Sequence, residues 1–298
     1  MNRQRKHIVY FVFFIAIFSH ALTVFCAENI RIRIMAANLT TGNKQSYEDP
    51  AKRIFQALKP DIVLIQEFNV GNNTTAEIDA YIQESFGAGF NWMREPGKEQ
   101  IPNGIISRWR IVASGDWSDT AVANRDFAWA RIDIPGDKDL WAVSIHLLTS
   151  NATARNTEAT ALKNYISVNV PAKDYLVIGG DLNTGNRTEN AIKTLSAIVE
   201  TASPYPADQN GNTNTNANRE KPYDWVLPNS YLHALKTPLI IGKSIYPDGL
   251  VFDSRVYTPL SEVSPVKATD SSATNMQHMA VVRDFLLELP SPDIWYLY

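Results

Sequence analysis

The chain has 298 residues, of which 45% are hydrophobic and 20% are charged, and its formal net charge is −3. This is an ordinary globular composition, and the length fits one large domain or two small ones. The sequence has no linker, internal repeat or long run of charge, so we favour one domain. A chain that is not basic is also a weak candidate for tight, non-specific binding of nucleic acid.

The first 27 residues differ from the rest in composition. Three basic residues near the start precede an apolar run that extends from Ile8 to about Phe25. A basic segment followed by an apolar one is typical of a secretory signal peptide. The run is slightly long, so an uncleaved membrane anchor is the alternative. We therefore assign residues 1–27 to a signal peptide or anchor and residues 28–298 to the functional domain. We expect a secreted or periplasmic protein, or a membrane-anchored one.

Cys26 is the only cysteine of the chain. Without residues 1–27 the domain has no cysteine, which excludes a cysteine nucleophile and a cysteine-bound metal. An exported protein without disulfides depends on its hydrophobic core. Removal of the same residues takes away three basic and no acidic side chains, so the net charge becomes −6. Such a charge suits a small phosphorylated or lipid phosphodiester substrate, or an enzyme that uses a divalent cation.

The first two predicted strands end in polar residues. Residues 30–38 alternate apolar and charged side chains, which is the period of a half-buried strand. This strand ends at Asn38, which taken alone is an ordinary turn residue. A helix follows at 48–58, with acids and a proline at its start. Residues 61–67 form a continuous apolar run that ends at Glu67. A carboxylate in that place is costly unless it is paired, solvated or bound to a metal, so we predict a functional role for Glu67.

The middle of the chain alternates strands and helices. The pattern predicts a helix at 76–86, strands at 103–108 and 110–117 that form a hairpin, strands at 126–133 and 139–146 joined by a turn, and a helix at 154–168. The last of these strands ends at His146. A buried structural histidine is the usual interpretation of a single residue of this kind.

The most informative stretch is 175–184. Its apolar residues predict a buried strand, and Gly179 and Gly180 mark the point at which the backbone leaves the sheet. Asp181 and Asn183 follow at i and i+2, so their side chains point to the same side. A carboxylate and an amide together suit a hard metal ion or a water beside a phosphate. Both residue types are also common in turns after strands.

The last third of the chain supplies two further candidate residues. We predict a helix at 189–198, a solvated loop in the asparagine-rich residues 209–218, a strand at 223–228, further strand within 231–251 and a final strand at 277–285. Asp224 lies at the start of one of these strands, and His278 at the start of the final one. Because neighbouring strands of a two-sheet sandwich often run antiparallel, the ends of some strands and the starts of others meet on one rim.

Six of these segments, in this order, resemble the endonuclease/exonuclease/phosphatase superfamily, which is also called deoxyribonuclease I-like. They are Asn38, Ile65-Gln66-Glu67, Ser144-Ile145-His146-Leu147, Gly180-Asp181-Leu182-Asn183, Asp224-Trp225-Val226 and His278-Met279-Ala280-Val281. The resemblance extends from about Ile30 to Phe285. It implies a four-layer α/β sandwich, in which two packed mixed β-sheets are flanked by helices.

The resemblance also implies a metal-dependent phosphoric ester hydrolase and a role for each residue. The implied metal ligands are Asn38, Glu67 and Gln277, the substrate-binding residues are Arg125 and Asn183, and the catalytic residues are His146, Asp181, Asn183, Asp224 and His278. Asp181 and Asn183 orient the attacking water and the phosphate, and Asp224 hydrogen-bonds His278. Either His278 or Asp181 is the general base. His146 donates to a phosphate oxygen or assists the leaving group.

Gln277 departs from the family pattern, which usually has an aspartate immediately before the last histidine. An amide coordinates a metal through its oxygen but brings no charge. We therefore expect weaker metal binding at Gln277, or a site that holds one metal ion. The implied cofactor is Mg²⁺, with Mn²⁺ or Ca²⁺ as alternatives.

The resulting prediction is a secreted, divalent-metal-dependent phosphodiester hydrolase. A nuclease is the first choice on frequency in the superfamily alone, since the fold does not select the substrate. The alternatives are a phosphatase or phospholipase-type enzyme that acts on inositol phosphate or sphingomyelin, and a non-catalytic binding protein of the same fold. The expected substrate is a phosphodiester or phosphomonoester, nucleic acid included. No protein partner is implied, and we expect a monomer.

Overall fold

The computed structural model describes residues 29–96 and 100–288. The segment 1–27, assigned above to a signal peptide or anchor, lies outside the described residues. Within the described ranges, no helix combines the length and the apolar composition needed to cross a membrane.

The described chain folds into fourteen strands and five α-helices. In chain order they are β1 (Asn29–Ala37), α1 (Asp49–Leu58), β2 (Ile62–Ile65), α2 (Thr75–Phe86), β3 (Asn91–Arg94), β4 (Gly104–Ser107), β5 (Ile111–Trp117), β6 (Phe127–Ile132), β7 (Leu140–His146), α3 (Ala152–Asn169), β8 (Tyr175–Asp181), α4 (Asn190–Leu195), β9 (Asp224–Pro228), α5 (Ser230–His233), β10 (Lys236–Thr237), β11 (Leu239–Ile241), β12 (Ser244–Tyr246), β13 (Leu250–Phe252) and β14 (Ala280–Glu288). Two short 3-10 helices precede β14.

The strands form two large mixed sheets and one small hairpin. The first sheet has the order β10-β14-β1-β2-β4-β3, with β13 also paired to β14, and β1 runs parallel to β2 but antiparallel to β14. The second sheet has the order β5-β6-β7-β8-β9, and only β7 and β8 are parallel in it. The hairpin consists of β11 and β12.

Four layers result, as the resemblance implies. The helices α1 and α2 pack on one face of the first sheet, and α3 and α4 pack on one face of the second. The two sheets pack against each other through their remaining faces. Alternation along a strand decides which layer a residue enters. In β1, Ile32 and Ile34 enter the core between the sheets, whereas Met35 enters the core under α1 and α2.

The predicted hairpin of residues 103–108 and 110–117 is wrong. The strand β4 lies between β2 and β3 in the first sheet, and β5 pairs with β6 in the second. Both edges of β4 are therefore occupied, and the chain turns at Arg108 to Arg110 into the other sheet. The strand β3 and the helix α5 were not predicted, because both are short and carry no clear period.

The strand registers bring the candidate residues to one rim. His146, Asp181 and Asp224 are neighbours in register across β7, β8 and β9. In the first sheet, Asn38 and Glu67 follow the ends of the parallel strands β1 and β2, and the antiparallel β14 begins just after His278. The expectation that strand ends and strand starts meet on one rim is confirmed.

Candidate active site

Seven of the predicted site residues are buried together at this rim. None is more than 6% exposed, and they are Asn38, Glu67, His146, Asp181, Asn183, Asp224 and His278. Buried polar groups are normally hydrogen-bonded, and each of these residues has at least one polar contact with another of the seven. The result is a continuous network that joins both sheets.

Asp181 is at the centre of the network. Its Oδ2 lies 3.2 Å from His146 Nε2 and 3.5 Å from His278 Nε2. The same oxygen accepts hydrogen bonds from the side-chain amides of Asn38 (3.3 Å) and Asn183 (3.1 Å). Burial raises the pKa of the Asp181 carboxyl above its ordinary value, because the charged form is poorly solvated there.

The expected contact between Asp224 and His278 is present. Asp224 Oδ2 lies 3.0 Å from His278 Nδ1, which leaves Nε2 facing Asp181. Burial acts to lower the pKa of His278, but the carboxylates of Asp224 and Asp181 outweigh it and raise that pKa to about 10. The ring of His278 is therefore an imidazolium at neutral pH.

His146 is in the opposite electrostatic state. Burial lowers the pKa of its ring well below the ordinary value, and the charges of Arg125 and His278 act in the same direction. Its Nε2 faces the Asp181 carboxylate, which favours the neutral tautomer with the proton on Nε2. The two histidines thus present a neutral donor and a cation to the same carboxylate oxygen, Asp181 Oδ2.

Glu67 lies in a strained turn directly after β2. Its φ is 53°, a left-handed value that is unusual for a residue other than glycine. The carboxylate accepts hydrogen bonds from Thr40 Oγ1 (2.5 Å), Gln45 Nε2 (3.0 Å) and Asn38 Nδ2 (3.2 Å). Among the described residues, no lysine, arginine or histidine forms an ion pair with it. Backbone strain of this kind often occurs at functional sites.

The oxygen atoms at this place fit a divalent cation. Glu67 supplies a buried carboxylate without a basic partner, and the buried Asn38 Oδ1 has no hydrogen-bond partner in the described chain. Carboxylate and amide oxygens are the ligands that hard cations prefer. Asp181, Asp224 and His278 also have ligand atoms within 4.8 Å of one another. However, Asp224 and His278 direct their facing atoms at each other, so Glu67 and Asn38 are the better ligands.

Two predicted residues stand apart from the network. Arg125 is buried behind His146, and its guanidinium donates hydrogen bonds to the main-chain carbonyls of His146 and Leu147. The side chain of Gln277 is exposed and, in the part of the chain that the structure describes, makes no hydrogen bond to Glu67, Asp181 or Asp224. The phosphate contact of Arg125 and the metal contact of Gln277 remain predictions.

Several supporting residues were not assigned a role from the sequence. Gln66 Nε2 donates to Ser144 Oγ at 2.8 Å, and Ser144 Oγ donates to the Ile65 carbonyl at 2.8 Å, so these residues join the two sheets below the site. Gly180 has a φ of 132°, and a Cβ atom there would collide with the Ile145 carbonyl and the Gln66 amide. The sequence did mark Gln66 and Ser144 as candidates, since both are polar residues in otherwise apolar predicted strands.

Other supporting residues lie in loops and carry no sequence signal. Thr40 and Gln45 hold Glu67, as described above. Thr215 is 1% exposed, and its hydroxyl accepts a hydrogen bond from the Asp224 main-chain N–H at 2.7 Å. Residues 209–218 form the expected loop, in which every residue except Thr215 is at least partly exposed, and the buried Thr215 is the part that sequence reasoning missed. Threonine and glutamine are ordinary loop residues, and only the folded chain shows which of them contact the site.

Comparison with known proteins supports the fold and the family. The sequence profile described as "Endonuclease/Exonuclease/phosphatase family" matches residues 43–245. No curated protein matches the sequence.

Solved structures similar to this chain share its fold at low sequence identity. An endonuclease/exonuclease/phosphatase family protein from Bacteroides thetaiotaomicron is 14% identical with a TM-score of 0.59, over 88% of this chain and 100% of its own. Beta toxin from Staphylococcus aureus is 12% identical with a TM-score of 0.52, over 85% and 99%. Truncated TDP2 from Caenorhabditis elegans is 14% identical with a TM-score of 0.54, over 86% and 98%.

Proposed function

The chain belongs to the endonuclease/exonuclease/phosphatase family, and from that membership we propose that it is a divalent-metal-dependent phosphodiester hydrolase, with a nuclease as the first choice. The observation that carries the proposal is the position of Asp181. This buried carboxyl contacts a neutral histidine and a cationic one, and the Asn38 side-chain amide donates hydrogen bonds to both Asp181 and Glu67.

We assign the cation to Glu67 and Asn38. Mg²⁺ is the preferred ion because its ligands in proteins are oxygen atoms, with Mn²⁺ or Ca²⁺ as alternatives. When bound, the ion polarises a phosphoryl oxygen and offsets the negative charge of the substrate. Gln277 remains the proposed additional ligand, with an amide in place of the family's usual carboxylate.

We propose Asp181 as the general base. Its raised pKa suits a group that must take a proton from water near neutral pH. His278 is less suited to that role, because the Asp224 and Asp181 carboxylates outweigh burial and keep its ring protonated. Asn183 donates its amide to the same Asp181 oxygen and holds the carboxyl in place.

The two histidines then serve as donors to the phosphate. The His278 imidazolium stabilises the negative charge that develops on the phosphoryl oxygens, and Asp224 holds its ring in position. The neutral His146 carries a proton on Nε2 and donates a hydrogen bond from that N–H to a phosphate oxygen or to the leaving-group oxygen. Arg125 supports the backbone of His146, in addition to the phosphate contact predicted for it.

The experiment that tests this function is a parallel substrate screen. Plasmid DNA, RNA, sphingomyelin and inositol phosphates are incubated with the purified domain and Mg²⁺ or Ca²⁺, with Asp181→Asn and His278→Ala as inactive controls. We expect hydrolysis of a nucleic acid by the unmodified chain and a large loss in both variants. Cleavage of sphingomyelin or inositol phosphate instead would select the alternative enzyme class. A protein that hydrolyses none of them and binds no metal is a non-catalytic binding protein.

We further propose export, based on residues 1–27 alone. The expected mature chain is a monomer that begins near residue 28 and is secreted or periplasmic, and the alternative is a chain that the apolar segment anchors to the membrane. Mass spectrometry of the protein recovered from each cell fraction measures where the chain begins. A soluble cytoplasmic product that retains residues 1–27 would contradict export.

A further inference from the structure

The asparagine-rich segment between α4 and β9 forms a concave arc of oxygen atoms. Asp208 Oδ1 accepts hydrogen bonds from the main-chain N–H groups of Asn210 (2.8 Å) and Asn212 (2.9 Å), and Asn212 Oδ1 accepts from that of Asn214 (2.9 Å). Each of these contacts curls the backbone. The remaining Asp208 oxygen and the carbonyls of Asn212 and Asn214 face the inside of the arc.

The guanidinium of Arg219 fills this arc. It contacts Asp208 Oδ2 at 2.8 Å and Asp253 Oδ2 at 2.5 Å. It also donates to the carbonyls of Asn214 (2.8 Å) and Asn212 (3.2 Å). Two carboxylates and two carbonyls thus surround one organic cation, whose side chain is only 10% exposed. Such a planar donor satisfies several acceptors at once.

The same segment continues directly into the site. Thr215, the residue after Asn214, accepts the Asp224 N–H through its hydroxyl (2.7 Å) and the Met279 N–H through its carbonyl (2.7 Å). Asn216 pairs with His278 in an isolated β-bridge. The arc around Arg219 is therefore linked within two residues to both members of the Asp224–His278 pair.

Loss of the Arg219 cation would act mainly on this segment. Asp253 has a second partner, because Arg255 contacts both of its carboxylate oxygens at 2.7 and 2.8 Å. Asp208 is 7% exposed and, among the described residues, pairs with no basic side chain other than Arg219. A buried carboxylate that loses its partner is strongly unfavourable. The arc would open to hydrate Asp208, and Thr215 would move with it.

We propose that Arg219 is a positioning residue, which holds the segment 208–216 closed and so fixes the relative placement of Asp224 and His278. This inference rests on the proposed hydrolase function for its effect on turnover. Among the described residues, Arg219 makes no hydrogen bond or ion pair with any of the proposed catalytic residues. It acts through Thr215 and Asn216.

The test compares Arg219→Ala with a matched control, Arg33→Ala. Arg33 is similarly buried (14% exposed) and pairs with the buried Asp284, but it is the middle residue of β1, away from the site. We measure hydrogen exchange of the Asp224 and Met279 amides, together with kcat and KM for the best substrate of the screen. In Arg219→Ala we expect exchange of both amides to rise about tenfold or more. We expect kcat to fall about tenfold with KM within about twofold.

A conservative variant and a chemical rescue test the role of the Arg219 guanidinium further. Arg219→Lys keeps the charge but not the planar set of donors, so we expect intermediate values. Millimolar guanidinium should restore part of the protection and of kcat in Arg219→Ala and have no such effect on Arg33→Ala. If Arg219→Ala fails to fold, Arg219→Lys replaces it, because this variant keeps a charge beside Asp208 but cannot contact both carboxylates and both carbonyls at once.

Three results would overturn the proposal. They are unchanged amide exchange in Arg219→Ala (or in Arg219→Lys where the first variant is unfolded), increased exchange without a loss of kcat, and an equal effect in Arg33→Ala. The exchange measurement requires no turnover. A chain that hydrolyses nothing would therefore refute the proposed function, while amide exchange would still decide whether Arg219 holds the segment.

Discussion

At the scale of single residues, the environment determines the chemistry more than the residue type does. His146 and His278 both contact Oδ2 of Asp181. Burial lowers the pKa of His146, whereas Asp224 and Asp181 overcome burial and raise that of His278. The sequence indicated that both histidines belong to the site. It could not assign their charges, because those depend on burial and on partners that are distant in sequence.

We expect hydrolysis to depend on pH with two limbs. Burial raises the pKa of Asp181, so activity should appear as pH rises through a value above that of an ordinary aspartate. Activity should fall again at alkaline pH as the His278 imidazolium, whose pKa is raised to about 10 against the effect of burial, loses its proton. A profile of kcat/KM from about pH 5 to about pH 11 measures both limbs. The alkaline limb should be absent from residual activity in His278→Gln, and its persistence there would contradict the assignment.

The same ionisation predicts how His278 affects stability. Its pKa in the folded chain exceeds the ordinary value of 6.5. Its pairing with Asp224 therefore stabilises the fold fully below about pH 6.5, and this contribution is lost as pH rises towards about 10. Urea unfolding of the unmodified chain and of His278→Gln should show a difference in unfolding free energy that shrinks over this interval. A constant difference would contradict the raised pKa.

Gln277 allows a test of the metal site that does not require turnover. Gln277→Asp restores the carboxylate usual in the family, so we expect the Kd for Mg²⁺ to fall about tenfold, because a second charge joins that of Glu67. Isothermal titration calorimetry measures this value. Asn275→Asp adds the same charge two residues away and should change the Kd much less. An unchanged Kd in Gln277→Asp would show that Gln277 is not a ligand.

At the scale of strands and helices, periodicity predicted most elements and the polar residues at their ends. The strand β8 and its exit, from Tyr175 to Asp181, lie where the sequence placed them. The sequence did not predict correctly which strands pair with each other. The strands β4 and β5 are adjacent in the chain but lie in different sheets. Which edge of a strand is free to pair depends on strands from distant parts of the chain, so the local sequence cannot predict it. The same limit applies to the segment 209–218, whose composition is that of a solvated loop.

Glu95, which lies just after β3, predicts how the stability of the fold depends on pH. It is 1% exposed, it accepts the Asn103 N–H at 2.9 Å, and burial raises its pKa to about 8. Between pH 4.5 and about 8 the folded chain therefore holds a proton that the unfolded chain has lost. The free energy of unfolding should fall with rising pH in this interval, by at most about 1.4 kcal/mol per pH unit.

The variant Glu95→Gln removes this ionisation and preserves an acceptor for Asn103. It should be more stable than the unmodified chain at pH 8 by a larger margin than at pH 5, as measured by urea unfolding. Asp133→Asn, which alters a carboxylate that is half exposed in a surface ion pair, should show a far smaller dependence on pH. Equal margins for Glu95→Gln at both pH values would contradict the raised pKa.

At the scale of the whole molecule, two sheets bring together residues that are up to 240 positions apart in sequence, from Asn38 to His278. The order of six short segments was sufficient to predict this assembly, because strand ends and antiparallel strand starts share a rim. The sequence could not show which residues hold the rim in place. These residues include Gln66, Ser144 and Arg219. Their importance follows from contacts between the sheets and across a long loop.

The rim is proposed to be a metal-dependent phosphodiesterase site, and Mg²⁺-dependent hydrolysis of bis-p-nitrophenyl phosphate tests this most directly. We expect the unmodified chain to show activity that saturates with Mg²⁺ and is abolished by EDTA. We expect Asp181→Asn to lose about 100-fold or more in kcat while it unfolds at a similar temperature. Full activity in Asp181→Asn, or an unmodified chain that neither hydrolyses the diester nor binds Mg²⁺, would contradict the proposed function.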